Sequence, residues 1–272
     1  MDLATIVGTA ASGIAVLGAC GVVVRWGLRH RPTPQVVVEH VAYDSFPEPF
    51  DFLLPKHPDE DLRETLRSPN VDVAKLRREV AELGGREVSF LAESQFSPTG
   101  LGTVTRLRFT LRGQGSEAAF LITSIRARII QKSGPWDAAI IHTAPQGATL
   151  AEAVGFDLTG RDLDARTLTL GDRVAAVAQA PKYLQGREVT LREGELLSFD
   201  VLAVVQEGSV QWVIDIETAN GSIITVNNNG QPFDTSARAS AYDEAWTRNI
   251  NPSFRLVYRT CAWPDSNPHV VS

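Results

Sequence analysis

The chain opens on an unbroken apolar pattern. From Leu3 to Val24 no charged residue occurs. These 22 residues, at about 1.5 Å of helical rise each, span about 33 Å, enough for a hydrocarbon core of about 30 Å. Hydrocarbon offers no water to a backbone amide, so the pattern predicts a helix despite its glycines and β-branched residues. Arg25, Trp26, Arg29 and Arg31 follow the span, whereas only Met1 and Asp2 precede it. Cationic flanks are retained on the cytoplasmic side. The asymmetry therefore predicts a single-pass membrane anchor with the N-terminus outside and the C-terminal domain in the cytoplasm. A cleaved signal peptide would carry a positive leading region, and this chain has none.

Two details of the span bear on its fate. Leu17-Gly18-Ala19-Cys20 matches the lipobox pattern of bacterial lipoproteins, which would place the body outside the cell, but apolar sequence continues past Cys20 through Val24. Small residues stand four apart at Ala4, Gly8 and Ser12 and at Ala11, Ala15 and Ala19. Such faces let helix backbones approach closely, so a homo-oligomer through the membrane helix is one partner arrangement the span allows.

The pattern then turns mixed. Arg31 to Pro34 is a stiff exit, because its two prolines fix φ and lack a donor. Residues 58–67 are charged and compatible with a short helix. A stronger helix follows Asp72, a suitable N-cap: Val73, Leu76, Val80 and Leu83 form one stripe, and Gly84-Gly85 ends it. Lys75, Arg77, Arg78, Glu79 and Glu82 make its solvated face. The predicted organisation is an anchor over 1–30, a linker and helical connecting subdomain over 31–85, and a β-domain over 86–272.

From Glu87 the period becomes two. Thr105, Leu107, Phe109 and Leu111 share one face of a strand at 103–112, with Arg106, Arg108 and Arg112 on the other. Gly113 to Ser116 reads as a turn and 119–130 as a return strand, with Arg126 and Arg128 pointing outward. Further strands are predicted at 138–143, 153–158, 188–192, 195–205, 210–218, 222–227 and 254–260. Gln206 to Ser209 and Ala219-Asn220-Gly221 read as hairpin turns. The expected fold is mainly β: an antiparallel β-sandwich, Ig-like or jelly-roll-like, without the βαβ alternation of a doubly wound sheet. Leu197, Phe199, Val201, Ala203 and Val205, with Val210, Trp212, Ile214 and Ile216, are its predicted core.

Composition narrows the function. With 43% hydrophobic and 21% charged residues the chain is globular, and its net charge of −6 disfavours bulk attraction to nucleic acid. Its two cysteines, Cys20 and Cys261, form no disulfide framework. His30, His40, His57, His142 and His269 show no metal-ligand spacing, so no metal or cofactor is predicted. No nucleophile elbow, P-loop or dinucleotide fingerprint follows a strand, and no catalytic residue is nominated. Asp157, Asp162 and Asp164 lie close in sequence. They read as a solvated loop before a Ca²⁺ loop, since the EF-hand spacing and terminal Glu are missing. The same three carboxylates carry the alternative reading, a membrane-tethered hydrolase of glycan or peptide.

Arg106, Arg108, Arg126 and Arg128 are the one surface feature singled out. A hairpin of the two strands that bear them would gather four like charges, which need an acidic offset. Asp200, Asp215 and Glu217 on neighbouring strands would supply it internally. An anionic partner, lipid headgroups or an acidic protein, is the sharper alternative.

Residues 87–226 are similar to a family of uncharacterised actinobacterial proteins. The carriers are Thr110-Leu111-Arg112-Gly113, Ile122-Thr123-Ser124-Ile125-Arg126-Ala127-Arg128, Gly155-Phe156-Asp157-Leu158, Thr190-Leu191-Arg192-Glu193-Gly194-Glu195 and Gln211-Trp212. The resemblance implies a membrane segment followed by a β-rich domain and transfers no catalytic residue. The sequence reading that results is a membrane-anchored, non-enzymatic binding or scaffolding module.

Overall fold

Two edges of the same strand set the architecture, and the elements are these. The first strands are Gln35–Tyr43 (β1) and Asp51–Leu54 (β2), followed by helices Glu60–Arg67 (α1) and Val73–Glu82 (α2). Then come Arg86–Phe90 (β3), Thr103–Gln114 (β4), Phe120–Ser133 (β5), Ala139–Thr143 (β6), Ala153–Asp157 (β7) and Arg166–Leu168 (β8). A 3-10 turn at Val174–Gln179 precedes Val189–Leu191 (β9), Leu196–Val205 (β10), Ser209–Thr218 (β11) and Ile223–Val226 (β12). Phe233–Ser236 (β13), Ala241–Tyr242 (β14), Glu244–Arg248 (β15), Arg255–Tyr258 (β16) and Cys261–Ala262 (β17) complete the chain. The structure, a computed structural model, describes residues 35–44, 51–90, 101–115, 119–143, 153–168, 174–248, 255–258 and 261–262. The apolar span from Leu3 to Val24 lies outside them. Among the described residues no helix is long and apolar enough to cross a membrane.

The fold is mainly β. A ten-stranded sheet runs β16-β15-β6-β2-β3-β4-β10-β7-β8, with β1 also paired to β4. A five-stranded sheet runs β12-β11-β5-β9, with β13 also on β11, and β14 pairs β17. β4 organises the larger sheet. One edge pairs β10 from Val205↔Thr103 to Leu196↔Arg112. The other edge takes β3 at Val104 and Thr103, then β1 from Leu107 onward. Among the described strands, pairing is antiparallel except for β10 with β7 and β15 with β6, which are parallel. The larger sheet is therefore mixed, where the turn signals predict purely antiparallel pairing.

The alternation has the expected result. Leu107, Phe109 and Leu111 of β4 and Phe199, Val201, Ala203 and Val205 of β10 are buried, and they share one core with Ile125, Val210, Trp212, Ile214, Ile216 and Phe233 of the smaller sheet. Phe109 stacks on Phe199 with centroids 4.7 Å apart. Trp212 lies 5.2 Å from Phe233 and 5.8 Å from Phe156. Burying each such side chain is worth about 1.5–3 kcal/mol by transfer.

The helices cover the opposite face of the larger sheet. Leu62 and Leu66 of α1 and Leu76 and Val80 of α2 pack with Phe52, Leu54, Val104, Ile141, Leu202 and Val204. Asp59 and Asp72 cap the two helices, accepting from the backbone N–H of Leu62 (2.9 Å) and of Ala74 (2.8 Å). With both faces covered, β10 is buried at every position from Val201 to Val205, which is why its sequence there is a continuous apolar run.

Three expectations are corrected by the pairing. The strands at 103–112 and 119–130 do not form a hairpin: β4 belongs to the larger sheet and β5 to the smaller, where it pairs β11 and β9. Likewise β10 and β11 do not pair. The chain crosses between sheets at Gln206–Gly208, where Gly208 has φ +66 and any Cβ would meet the Ser133 carbonyl oxygen at 2.6 Å. Alternation specifies the buried face of a strand but not its lateral neighbour, so an arch between sheets and a hairpin within one sheet read alike. The Ala219-Asn220-Gly221 turn does close a hairpin, β11 with β12. Third, residues 35–54, expected within a connecting subdomain, supply β1 and β2 to the larger sheet.

Among the described glycines, Gly113 leaves the least room for a Cβ beside another backbone. Its N–H donates to the Glu195 carbonyl, its carbonyl accepts from Gly194, and a Cβ would lie 2.2 Å from the Arg192 oxygen. Backbone cannot rotate aside as a side chain does. Gly113→Ala should therefore lower unfolding stability by about 1–3 kcal/mol, measured by urea titration of tryptophan fluorescence. Gly134→Ala, whose Cβ meets nothing within 4 Å, should stay within about 0.5 kcal/mol of the parent.

Candidate functional site

The four nominated arginines divide between the sheets. Arg106 and Arg108 continue the helix-covered face of β4 beyond Val104. Arg108 donates to Asp200 at 2.8 Å and stands 3.7 Å from Asp44. Arg106 lies 3.4 Å from Asp44 and 3.7 Å from Asp200. On β5, Arg128 makes a two-pronged contact with Asp215 (2.5 and 3.1 Å), whose carboxylate also accepts from the Thr225 hydroxyl at 2.7 Å. Arg126 meets Asp164 at 2.7 Å. The four charges therefore form two pairs rather than one patch. As neighbouring-strand acids, Asp200 holds Arg106 and Arg108 and Asp215 holds Arg128, whereas Arg126 goes to Asp164 and Glu217 stands opposite Ser124.

The nominated carboxylates are built into the frame. Asp157 accepts from the backbone N–H groups of Thr159 and Gly160, both at 3.1 Å, and so closes the turn after β7. Asp162 accepts from the Asp164 N–H at 3.0 Å and pairs with Arg166 at 2.6 Å and Lys182 at 3.5 Å. Asp164 holds both Arg126 and Lys182. The succession Arg126, Asp164, Lys182, Asp162, Arg166 thus runs from β5 in the smaller sheet to β8 in the larger. Backbone bonds support it: the Ala127 N–H donates to Leu163 and the Ala165 N–H to Ile125, each at 2.9 Å. This is a charged seam between the sheets. A cavity of about 280 Å³ beside it is lined by Thr123, Ser124, Asp164, Lys182 and Gln185.

The electrostatics agree with that role. The Asp162 carboxyl is held below its ordinary value by the Asp164 N–H, with Arg166 and Lys182 adding to the effect. Hydrogen bonding from Arg128, then from Thr225, lowers Asp215 in the same way. The acid of a two-carboxylate hydrolase needs the opposite shift. Among the described residues no three His, Cys, Asp or Glu side chains gather as a metal site.

Two polar groupings escaped the sequence reading. Asp51 and His142 are register partners on β2 and β6, and His142 Nδ1 stands 2.6 Å from the buried Asp51 carboxylate. Thr247 is the next partner in the row, on β15. Nearby, burial pushes the Tyr242 phenol well above its ordinary range. The second grouping joins three elements: the Arg86 guanidinium lies 4.5 Å above the Tyr43 ring and 2.5 Å from Asp234, and the Tyr43 oxygen accepts from the Asp234 N–H at 2.9 Å. Beside it opens a cavity of about 180 Å³ lined by Asp44, Arg77, Val80, Arg86, Glu87 and Arg106. Neither grouping has a local spacing, so only strand register reveals it.

Comparison with known proteins adds little to this geometry. No family model matches the chain, and no curated protein is similar to it. Among solved structures, an ApaA protein of Bordetella pertussis matches with 14% identity and a TM-score of 0.23, over 56% of this chain and 87% of that one. So distant a likeness assigns neither architecture nor activity.

Depressed carboxyls make stability depend on acid. Unfolded Asp titrates near pH 4. Since Asp162 and Asp215 titrate lower in the fold, the unfolded chain binds more protons in that range, and stability rises with pH through it. Their contribution is complete above about pH 4 and fades as pH falls through the folded-state values. Urea midpoints measured from pH 7 to pH 2.5 should therefore decline at the acid end. The Asp162→Asn/Asp215→Asn double variant should be less stable at neutral pH and show a flatter acid decline. An unchanged slope would refute the assignment.

Proposed function

We propose that the chain is a single-pass membrane protein whose body is a β-sandwich, Ig-like or jelly-roll-like, acting on the cytoplasmic face as a non-enzymatic binding or scaffolding module. The sandwich reading is supported by the core that β4 and β10 share with β5 and β11. The tether rests on the uncharged stretch from Leu3 to Val24 and its arginine flank.

One observation favours binding over hydrolysis. Asp157, Asp162 and Asp164, the carboxylates a tethered hydrolase would use, have structural work: the first closes a turn and the other two bridge the sheets. A carboxylate held by two cations and a backbone amide is a poor proton donor near neutral pH.

Fractionation tests the reading directly. In cells producing the full chain, the protein should stay in the membrane pellet after alkaline carbonate extraction. The body should resist protease added to intact cells and be digested once the membrane is opened. Digestion in intact cells would reverse the topology and favour the lipoprotein alternative. Release by carbonate would remove the anchor. Turnover of a glycan or peptide substrate, lost in Asp164→Asn with folding intact, would replace the binding reading by the enzymatic one.

A further inference from the structure

We propose that the end of the body where Gln35 enters the larger sheet lies against the lipid bilayer, with Leu196 and Ile223 seated at the lipid interface. This names a partner surface and rests on the membrane-anchor reading.

Among the described residues the large hydrophobic side chains left exposed are Leu196, Ile223 and Ile130, at 62%, 66% and 47%. A single exposed leucine is ordinary, so placement decides what these mean. Strand register puts two of the three at one end of the body. Gln35, the first residue of β1, pairs Gln114 at the end of β4. Two residues further in, Val37, Arg112 and Leu196 form one row across β1, β4 and β10. Neighbouring strands lie about 4.8 Å apart, so Leu196 stands about 10 Å from Val37. The smaller sheet ends at the same level. Gly113 bonds Gly194 and Glu195 in the connection from β9 to β10, while Leu191 of β9 pairs Phe120, the first residue of β5. Beside Phe120, the Leu121 carbonyl accepts from the Ala219 N–H of the turn into β12, and Ile223 opens that strand. Ile130 lies elsewhere. Along β5 it is about 20 Å from Ser124, which shares a row with Glu217 and Ile223.

The path of the chain identifies what faces this end. At about 3.6 Å per residue when fully extended, the stretch from Val24 to Gln35 reaches at most about 40 Å. A bilayer that holds Leu3 to Val24 therefore keeps this end within that distance, at an effective concentration on the order of millimolar. Under such a tether a weak apolar contact is enough, and Leu and Ile side chains gain by leaving water. Charge adds no pull. Arg192 stands with Glu193 and Glu195 in the exposed connection from β9 to β10, so the contact is apolar and needs no anionic lipid. It also holds for either orientation of the anchor, since Gln35 follows the span in both.

Lipid quenching of single labels tests this in the full chain, reconstituted into phosphatidylcholine nanodiscs with Cys20 and Cys261 replaced by serine. A nitrobenzoxadiazole label is placed on Leu196→Cys, Ile223→Cys or Ile130→Cys. Nitroxide-bearing phosphatidylcholine should cut emission about twofold at the first two positions, since interfacial apolar groups sit about 5–10 Å into the headgroup boundary. Emission at Ile130→Cys should not change. A label on Ser222→Cys, beside Ile223, should be quenched too, and the quenching should vanish when Leu196→Asp and Ile223→Asp are added. Both side chains are exposed, so these variants should keep the parent circular dichroism. Emission unaffected at both Leu196→Cys and Ile223→Cys, or equal quenching at Ile130→Cys, would overturn the proposal. A blue-shifted label at the pair without lipid quenching would mean that another protein or a second copy covers it, and would overturn it as well. Carbonate extraction reports the tether and quenching the contact. A chain that resists carbonate but is unquenched fails only here, whereas one released by carbonate fails both readings.

Discussion

The structure depends on one constraint: the apolar faces of β4 and β10 have no water-free surface to rest on except the apolar faces of β5 and β11. Phe109, Phe199, Val201 and Ala203 on one side and Trp212, Ile214 and Ile216 on the other are each at most 2% exposed. The chain meets this constraint by changing sheets between β4 and β5 and again between β10 and β11. Two long strands are thereby committed to each sheet, and their buried side chains share one core. Association of the layers follows from burial, since apolar side chains that size cannot stay in water at acceptable cost.

Charge placement follows from the same arrangement. With inner faces apolar, the polar positions of each strand face outward or sit at the seams, and there they pair by register. Arg108 finds Asp200 because β4 and β10 bring those positions opposite each other. Asp215 is the register partner of Arg126 on β11, yet it takes the neighbouring Arg128, leaving Arg126 for Asp164. The seam of Asp162 and Asp164 with Arg166 and Lys182 stitches the sheets where the apolar layer ends. Arg86, stacked on Tyr43 and paired with Asp234 of β13, does comparable work at the opposite seam. The cavity beside Arg86 lies where α2, covering the larger sheet, meets that seam.

Local patterns were legible in the sequence, and long-range partners were not. The inward set Leu107, Phe109 and Leu111, the N-cap Asp72, the end of α2 at Gly84 and the turn at Gly221 all depend on neighbouring residues, and all stand as read. The pairing of β4 with β10, the parallel run of β7 beside β10, and the Asp51–His142 contact across 91 residues depend on which strands lie side by side. A two-residue period carries no information about that. For the same reason the sequence shows four arginines as one patch, and places Asp162 and Asp164 correctly in a loop without showing the cations they pair with. Each group's chemistry was visible, but not that Arg126 and Asp164 answer one another.

The central claim is that β4 and β5 lie in different sheets, with β10 beside β4. Cysteine crosslinking tests it most directly, in a background with Cys20 and Cys261 replaced by serine. Disulfides need Cα atoms within about 7 Å. The register partners Arg108→Cys and Asp200→Cys should crosslink readily on mild oxidation, whereas Arg106→Cys with Arg126→Cys, which a hairpin of the two strands would bring opposite each other, should not. Efficient crosslinking of the second pair, with none in the first, would mean that β4 and β5 form a hairpin and would contradict the account.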